Sequence, residues 1–577
     1  MINDRPQHDN LRTVKATADL PRAGAFNRLK KGSNQKLMRL SLAAILAGFC
    51  LLSFPLLTAN RFGTYHDDSI YVATARAIAD GQGYRIISLP NSPYQTKYPP
   101  LYPLVLAAVW KVMPQFPQNL NFMMFLSMMA LSGFLLYASS YLLENEYVSR
   151  QSLVVVNCMT ALNWRTMILA TSIYSEMLFA VLTVAALYAA EKYEKEPKRL
   201  RNGITLGLLI GLAFLTRSSG VSLLIAVGFY FWFRRRWRLA VLPVGLASLF
   251  VIAWTAWCYA HRTTSEASNA AYYTSYLADL QSIIQNISDR GGSQFLGLLS
   301  IVGENLVGAI IVSIPVVCLG LNYDSMSHLG GVWLGLVVGL ILLAFLVIAA
   351  GFIRLCRRGF RLLHIYVLSY LILHLFWPYA SYDRFLMCVL PFLLLFFITE
   401  LELPISLIKV QSGSSVRRAS RVAIAFLAIT FLLGVCFLLY TYTIGVRKTL
   451  MSLNTVAASA AEDSRLIQWI NQNTEPEAVL ICYRDPKYYL YTNRKAITFS
   501  WPKQGSSWEG QQPLLHRIIS ESNGRYLILT STDFNHDYDE QLQRESLKSI
   551  IEQDPKVFTP VFVSEPDGVI YRIESTE

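Results

Sequence analysis

Residues 65–81 read Tyr65-His66-Asp67-Asp68-Ser69-Ile70-Tyr71-Val72-Ala73-Thr74-Ala75-Arg76-Ala77-Ile78-Ala79-Asp80-Gly81, directly after an apolar run from about 38 to 59. That run is long enough to cross a bilayer, which takes about 20 apolar residues. Asp67 or Asp68 can cap a helix running to Gly81, with Ile70, Ala73, Ala77 and Ile78 on its apolar side. Two carboxylates at the edge of a membrane are either such a cap or a reactive pair, and spacing alone supports both.

Working outward, the 577-residue chain is 53% hydrophobic and 15% charged. Soluble domains hold about 45–50% and 25%, so a string of soluble domains is excluded and a polytopic membrane protein is expected. Beyond 38–59, single spans are expected at about 118–143, 239–260, 331–353 and 422–445, and hairpins at 151–190, 203–233 and 362–400, giving eleven spans. The hairpins are broken by Asn163-Trp164-Arg165 to Glu176, by Thr216-Arg217-Ser218-Ser219 and by Tyr382-Asp383-Arg384. Basic clusters at the N-terminal arm, 192–201, 234–238, 354–361 and 417–421 belong in the cytoplasm. The net charge of +13 is therefore a topology signal and needs no nucleic acid to explain it. Parity of the spans then lays the Pro-rich stretch 99–116 in the outer interface. Residues 295–320 read as re-entrant or interfacial, and two short crossings there, giving thirteen spans, fit equally well.

Residues 1–37 read as a disordered, basic cytoplasmic tail. Residues 38–445 form the membrane domain, with an outer loop at 61–119 and a second at 261–330. Residues 446–577 alternate helix and strand signals at ordinary charge density, which predicts a small soluble extracytoplasmic α/β domain: helices at 461–473 and 514–522, strands at 478–483, 525–530, 557–563 and 569–573. The eight cysteines are scattered singly, so neither a zinc site nor a disulfide framework is indicated.

Glu176, in Ser172-Ile173-Tyr174-Ser175-Glu176-Met177-Leu178-Phe179, falls at the outer turn of the second hairpin or just inside the next helix, where an ionisable group is costly and usually functional. Its other reading is a partner for Arg165 that closes the turn. Lys97, Arg217 and Arg384 fall at the same level, either as phosphate ligands or as snorkelling cations. Tyrosines crowd these loops, among them Tyr71, Tyr98, Tyr272, Tyr273, Tyr276, Tyr379 and Tyr382; an interface belt accounts for most. His66 beside two aspartates is more naturally a hydrogen-bond partner than a metal ligand.

Taken in order, the acidic pair after the first span with Tyr71 and Ala75, Lys97-Tyr98-Pro99-Pro100-Leu101-Tyr102-Pro103, Ser175-Glu176-Met177-Leu178, and Asp383-Arg384-Phe385 leading to Pro391 resemble the GT-C glycosyltransferases. The protein O-mannosyltransferases and the bacterial aminoarabinose lipid A transferases are the nearest groups. The resemblance covers about residues 38–445 and is strongest before 220. It implies a GT-C fold in a multi-pass cell membrane, a bacterial inner membrane by preference, and a polyprenyl-phosphate sugar donor. It further implies transfer on the extracytoplasmic face to a hydroxyl of a lipid, glycan or protein acceptor. Asp67 or Asp68 would be the general base and Glu176 would orient the acceptor, hold Asp67 or share a divalent cation with it. Lys97, Arg217 and Arg384 would bind the donor phosphate, and His66, Tyr71, Tyr98 and Tyr382 would line the substrate site. The family pair is often Asp-Glu, whereas here it is Asp67-Asp68, which leaves both as candidates for the base. A secondary transporter or flippase is the rival reading, and a non-catalytic scaffold a third.

Overall fold

Backbone groups inside a bilayer must pair within their own segment, so an apolar chain of this kind folds as helices. The computed structural model describes residues 31–262, 293–322, 330–377, 382–411, 418–498, 512–533 and 540–574. Tyr272, Tyr273, Tyr276, Tyr379 and most of the tail expected at 1–37 lie outside the described residues.

The helices in chain order are α1 (Lys31–Ser53), α2 (Asp67–Ala79), α3 (Leu101–Val112), α4 (Gln118–Glu144), α5 (Arg150–Leu162), α6 (Trp164–Ala170), α7 (Glu176–Lys195), α8 (Leu200–Thr216), α9 (Val221–Phe233) and α10 (Trp237–Ala260). They continue with α11 (Phe295–Cys318), α12 (Gly331–Arg358), α13 (Leu362–Leu375), the short α14 (Tyr382–Leu386), α15 (Leu390–Gln411) and α16 (Arg418–Asn473). Among the described residues five helices are long and apolar enough to cross a membrane alone, and α5 with α6, bent by 63° at Asn163, adds a sixth. Shorter apolar helices, α8, α9 and α13 among them, complete a multi-pass membrane bundle. Its breaks fall where the polar interruptions at Asn163, Arg217 and Tyr382 predict them.

Basic clusters gather at one end of the bundle: Arg234 and Arg236 face Glu194, Arg354 pairs with Glu400, and Arg361 donates to the carbonyl of Asn145. The acidic turns gather at the other, the site end. There α2 and α3 pack as a separate layer, burying Ile70, Tyr71, Tyr102 and Leu106 with Met123 of α4. The stretch expected in the outer interface, 99–116, contains α3, only twelve residues long and packed against α2. α11 is long enough to cross, yet its Asn305 amide donates to the carbonyls of Leu375 and Trp377 at the site end of α13 (2.8 and 2.7 Å). Near its other end, Val317 and Cys318 accept from Asn163 (2.9 Å) and Tyr442 (3.1 Å). These bonds hold the second half of α11, residues 305–318, along the site end.

The 56-residue α16 passes residue 445 without a break and carries the chain into a five-stranded sheet. Its strands are β1 (Val479–Cys482), β2 (Ala496–Ile497), β3 (Gly524–Leu529), β4 (Phe558–Ser564) and β5 (Gly568–Ile573), in the order β2-β1-β3-β5-β4. β2, β1 and β3 run parallel, while β5 is antiparallel to both β3 and β4. Leu466 and Ile470 of α16 cover one face of the sheet. α18 (Gln512–Ser522) and α19 (Glu540–Gln553) cover the other through Leu515, Ile518, Leu547 and Ile550. Between β1 and β2 lies α17 (Asp485–Thr492), whose Tyr489 and Leu490 belong to the core of the α2–α3 layer.

Candidate active site

Four separate turns converge at the site end. α2 opens with Asp67, at the helix terminus where backbone N–H groups favour a carboxylate. α7 opens with Glu176, Arg217 caps the end of α8, and Arg384 sits on α14. Arg384 bridges both acids: its Nη1 lies 2.7 Å from Asp67 Oδ2, and its Nε donates to Glu176 Oε1. Arg217 Nη1 reaches the same Glu176 oxygen at 2.7 Å and donates to Ser175 Oγ at 3.0 Å. Two carboxylates and two guanidiniums thus form one chain of ion pairs, Asp67–Arg384–Glu176–Arg217, and buried charges are tolerable only when paired in this way.

Access within the network is uneven. Glu176 is fully buried, whereas the Asp67 and Arg384 side chains are 21% and 23% exposed, so these two are the more accessible members. Tyr98 OH donates to Asp67 Oδ1 at 2.5 Å, and the Arg384 guanidinium lies 4.1 Å over the Tyr174 ring. Burial alone would raise the Asp67 carboxyl; Arg384, the Tyr98 hydroxyl and His66 outweigh it and hold the group below the usual carboxylate value. The second oxygen of Glu176, Oε2, is buried and accepts no hydrogen bond among the described residues.

Asp68 has a different environment. It is 2% exposed and accepts from the backbone N–H groups of Gly63 (2.9 Å) and Ser69 (2.7 Å), pinning the turn ahead of α2. Burial pushes its carboxyl up to about 6, against the pull of those two donors. The adjacent acids therefore separate: Asp67 faces the cluster and Asp68 faces the backbone.

Of the other expected site residues, Lys97 is buried, its backbone N–H held by Gln95 Oε1 (2.9 Å), one residue from Tyr98. Tyr71 packs against Tyr98 and Tyr102, and its hydroxyl meets Ser175 Oγ at 3.2 Å. Tyr382 bonds Asn305 of α11, and His66 Nε2 donates to Asp485 of α17 at 2.8 Å. The alternative pairing of Glu176 with Arg165 does not form, because Arg165 pairs with Asp383 (2.7 Å) and donates to the Leu321 carbonyl (2.7 Å), steadying α14. Three groups were assigned no role from the sequence: Ser175, which joins Tyr71 to Arg217; Asp383, the residue before Arg384; and Arg61, which ties the end of the first span to Thr171 (2.7 Å) and Ser172 (3.2 Å). Only Ser175 and Asp383 carried a signal, as immediate neighbours of singled-out charges.

Arg384 lies between Asp67 and Glu176 and pairs with each, so a shared divalent cation would have to displace it. Among the described residues no group of three or more His, Cys, Asp or Glu side chains gathers as a ligand set. The site as arranged does not fit a metal bound jointly by the two acids.

No protein-family model and no curated protein matches the chain. Among solved structures, it is similar to the Archaeoglobus fulgidus oligosaccharyltransferase in the apo form, at a TM-score of 0.52 and 14% identity over 93% of this chain and 75% of that one. The archaeal oligosaccharyltransferase AglB from Archaeoglobus fulgidus, in complex with an inhibitory peptide and a dolichol-phosphate, gives 0.51 at 14% identity over 93% and 74%, and the Archaeoglobus fulgidus oligosaccharyltransferase complex with zinc and sulfate 0.51 at 13% over 91% and 72%. ArnT from Cupriavidus metallidurans bound to undecaprenyl phosphate is weaker, at 0.48 and 12% identity over 92% and 98%. On the stronger of these likenesses, the chain has the GT-C membrane fold.

Proposed function

We propose that the protein is a membrane glycosyltransferase that moves a sugar from a polyprenyl-phosphate-linked donor to a hydroxyl of a lipid, glycan or protein acceptor on the extracytoplasmic face. The observation that carries this reading is the shared guanidinium, Arg384, between a partly exposed Asp67 and a buried Glu176. A base and a phosphate ligand are thereby held in direct contact at the end of a GT-C bundle. The oligosaccharyltransferase of the same fold has been solved with a dolichol-phosphate, a polyprenyl phosphate.

In this reading the acceptor oxygen attacks the anomeric carbon from the side opposite the phosphate. The new C–O bond forms as the carbon–oxygen bond to phosphate breaks, and the polyprenyl phosphate leaves with the electron pair. Asp67 takes the hydroxyl proton, a role worth about 10²–10⁴ in rate. Arg384, Arg217 and Lys97 neutralise the leaving phosphate, the group on which charge develops. The resting cluster balances two carboxylates against two guanidiniums. A donor phosphate that takes over one Arg384 N–H therefore frees an Asp67 oxygen for the acceptor. Glu176, fully buried, keeps Arg384 and Arg217 side by side. In this reading the basic end faces the cytoplasm and the site end the other side, an orientation that the distribution of Lys and Arg supports.

The test uses full-length protein in lipid nanodiscs with a panel of polyprenyl-phosphate sugars and membrane-lipid extract, measuring free polyprenyl phosphate. Release by wild type that falls at least about a hundredfold in Asp67→Asn is the expected result. No release from any donor by folded protein would overturn the reading in favour of a transporter or flippase.

A further inference from the structure

The residue ahead of Asp67 is held in a strained conformation by the C-terminal domain. His66 has φ +56° and ψ −52°, and the Asp67 N–H donates back to the Tyr65 carbonyl at 2.5 Å, closing a three-residue turn around it. This hand of γ-turn is rare and strained for an L residue, and such strain persists only where the surroundings over-determine it. Here they do so from two sides. The His66 carbonyl accepts from Ser69 Oγ (2.7 Å) and from the N–H of Ile70 (3.2 Å), locking it to the first turn of α2. Its ring donates to Asp485, fully buried at the start of α17, more than 400 residues away.

The location of Asp485 in its own sheet is informative. α17 leaves the carboxyl end of β1, and β1 lies between β2 and β3, the two strands that follow it in sequence. In open parallel sheets the crevice beyond the carboxyl ends at such a reversal of order is the usual ligand site. In this protein the loop after β1 meets the α2–α3 layer. Lys487 lies against Gly63, so closely that a Cβ there would fall 2.4 Å from the lysine side chain. Lys495 Nζ donates to the carbonyl of Ile87 (2.7 Å) and to Ser92 (2.8 Å), Tyr491 stacks edge-on against Phe116, and Arg76 lies over Tyr489.

We propose that Asp485 is a positioning residue for Asp67: by gripping His66 it keeps the strained turn closed and Asp67 aimed at the cluster, so the C-terminal domain is a working part of the active site. The proposal rests on Asp67 being the base. Its test compares wild type, Asp485→Ala, Asp485→Asn and Lys495→Ala, all full-length in nanodiscs, by hydrogen exchange of peptides covering 62–70 and by polyprenyl-phosphate release. Asp485→Ala is expected to raise exchange in 62–70 and to lower kcat about ten- to a hundredfold with KM for the donor little changed. That is the scale on which a misplacement of about 1 Å costs rate. Asp485→Asn, which keeps an oxygen acceptor, restores most of both. Lys495→Ala, which loosens another contact of the same interface, leaves kcat near wild type. Unchanged exchange in Asp485→Ala overturns the grip, whether or not a donor is found. Raised exchange with unchanged kcat, or an equal fall in Lys495→Ala, overturns the positioning role. Absence of release in wild type strikes the sugar-transfer reading alone.

Discussion

The two adjacent aspartates should answer the same substitution in opposite ways. For Asp68 the folded value of about 6 lies about two units above the ordinary 3.8. At about 1.36 kcal/mol per unit, the ionised form costs the fold about 3 kcal/mol at neutral pH. A group raised on folding adds stability that is fully present below about pH 4 and is lost as the pH rises through about 6. Asp68→Asn removes that cost and, in exchange, keeps only one of the two bonds from Gly63 and Ser69, because the amide has a single acceptor oxygen and leaves the other N–H unsatisfied, forfeiting about 1–3 kcal/mol. The net is between nothing and about 2 kcal/mol of stabilisation at pH 7.5, with a flatter melting profile between pH 4 and 7. Asp67 has the reverse sign. Held low by Arg384, it contributes stability above the ordinary carboxylate value that is lost only as the pH falls through its lower folded one. Asp67→Asn leaves Arg384 with Glu176 alone, lowers the melting temperature at pH 7.5, and lowers transfer about 10²–10⁴-fold. Thermal unfolding in nanodiscs at pH 4.5–8, with release of polyprenyl phosphate beside it, reads both. Equal loss of transfer in the two variants, or an Asp68→Asn melting temperature well below wild type at pH 7.5, would refute the division of roles.

Glu176→Gln strips the common counter-charge from Arg217 and Arg384 in a fully buried setting, where breaking an ion pair costs about 3–5 kcal/mol. The variant should melt well below wild type and lose activity, and a melting temperature within a degree of wild type would contradict the network. Tyr98→Phe deletes the 2.5 Å bond to Asp67, worth about 1.5–3 kcal/mol for a charged acceptor. The acid limb of kcat/KM should then move to higher pH, because one of the groups holding Asp67 low is gone; an unmoved limb counts against Asp67 as the titrating base. In the membrane core, a Cβ at Gly351 of α12 would fall 1.9 Å from the Phe396 carbonyl oxygen of α15. Gly351→Ala forces those helices apart at a cost of about 1–3 kcal/mol or more, read as reduced folded yield in detergent.

The membrane part was legible because a bilayer imposes simple rules. Length and apolarity marked the spans, charge marked their ends, and the hairpin breaks at Asn163, Arg217 and Tyr382 fall within the polar interruptions that predicted them. In the C-terminal domain four strands were legible from short β-branched runs. β2, with only two residues, gave no period to read. α17 was missed for a different reason. Asp485-Pro486-Lys487-Tyr488-Tyr489 mixes charge and aromatics around the helix because α17 is buried on two sides, against its own sheet and against the α2–α3 layer. A helix of that kind has no polar face, and periodicity reports only helices that have one.

The site was legible as a set of residue types at one level of the membrane, but not as a circuit. Level follows from position along each span, so Asp67, Glu176, Arg217 and Arg384 could be placed together before their partners were known. Pairing depends on the rotation and packing of α2, α7, α8 and α14, which are set by contacts hundreds of residues apart. This is why Arg165, eleven residues from Glu176, was the natural candidate from spacing and the wrong one in space. Once Arg165 is taken by Asp383, Glu176 must be neutralised from elsewhere, and Arg217 and Arg384 are the cations that converge on it. Arg384 is thereby drawn within reach of Asp67 as well, so the fully buried acid determines the geometry of the partly exposed one. Asp383→Asn should accordingly disturb Asp67 without touching it. Arg165 loses its counter-charge, α14 loses a tether, and the Arg384 bridge loosens. The expected result is a fall in kcat larger than the rise in KM for the donor, with Asp383→Glu recovering part of it. Wild-type kcat in Asp383→Asn would mean that α14 is held by its packing alone and that the circuit ends at Arg384.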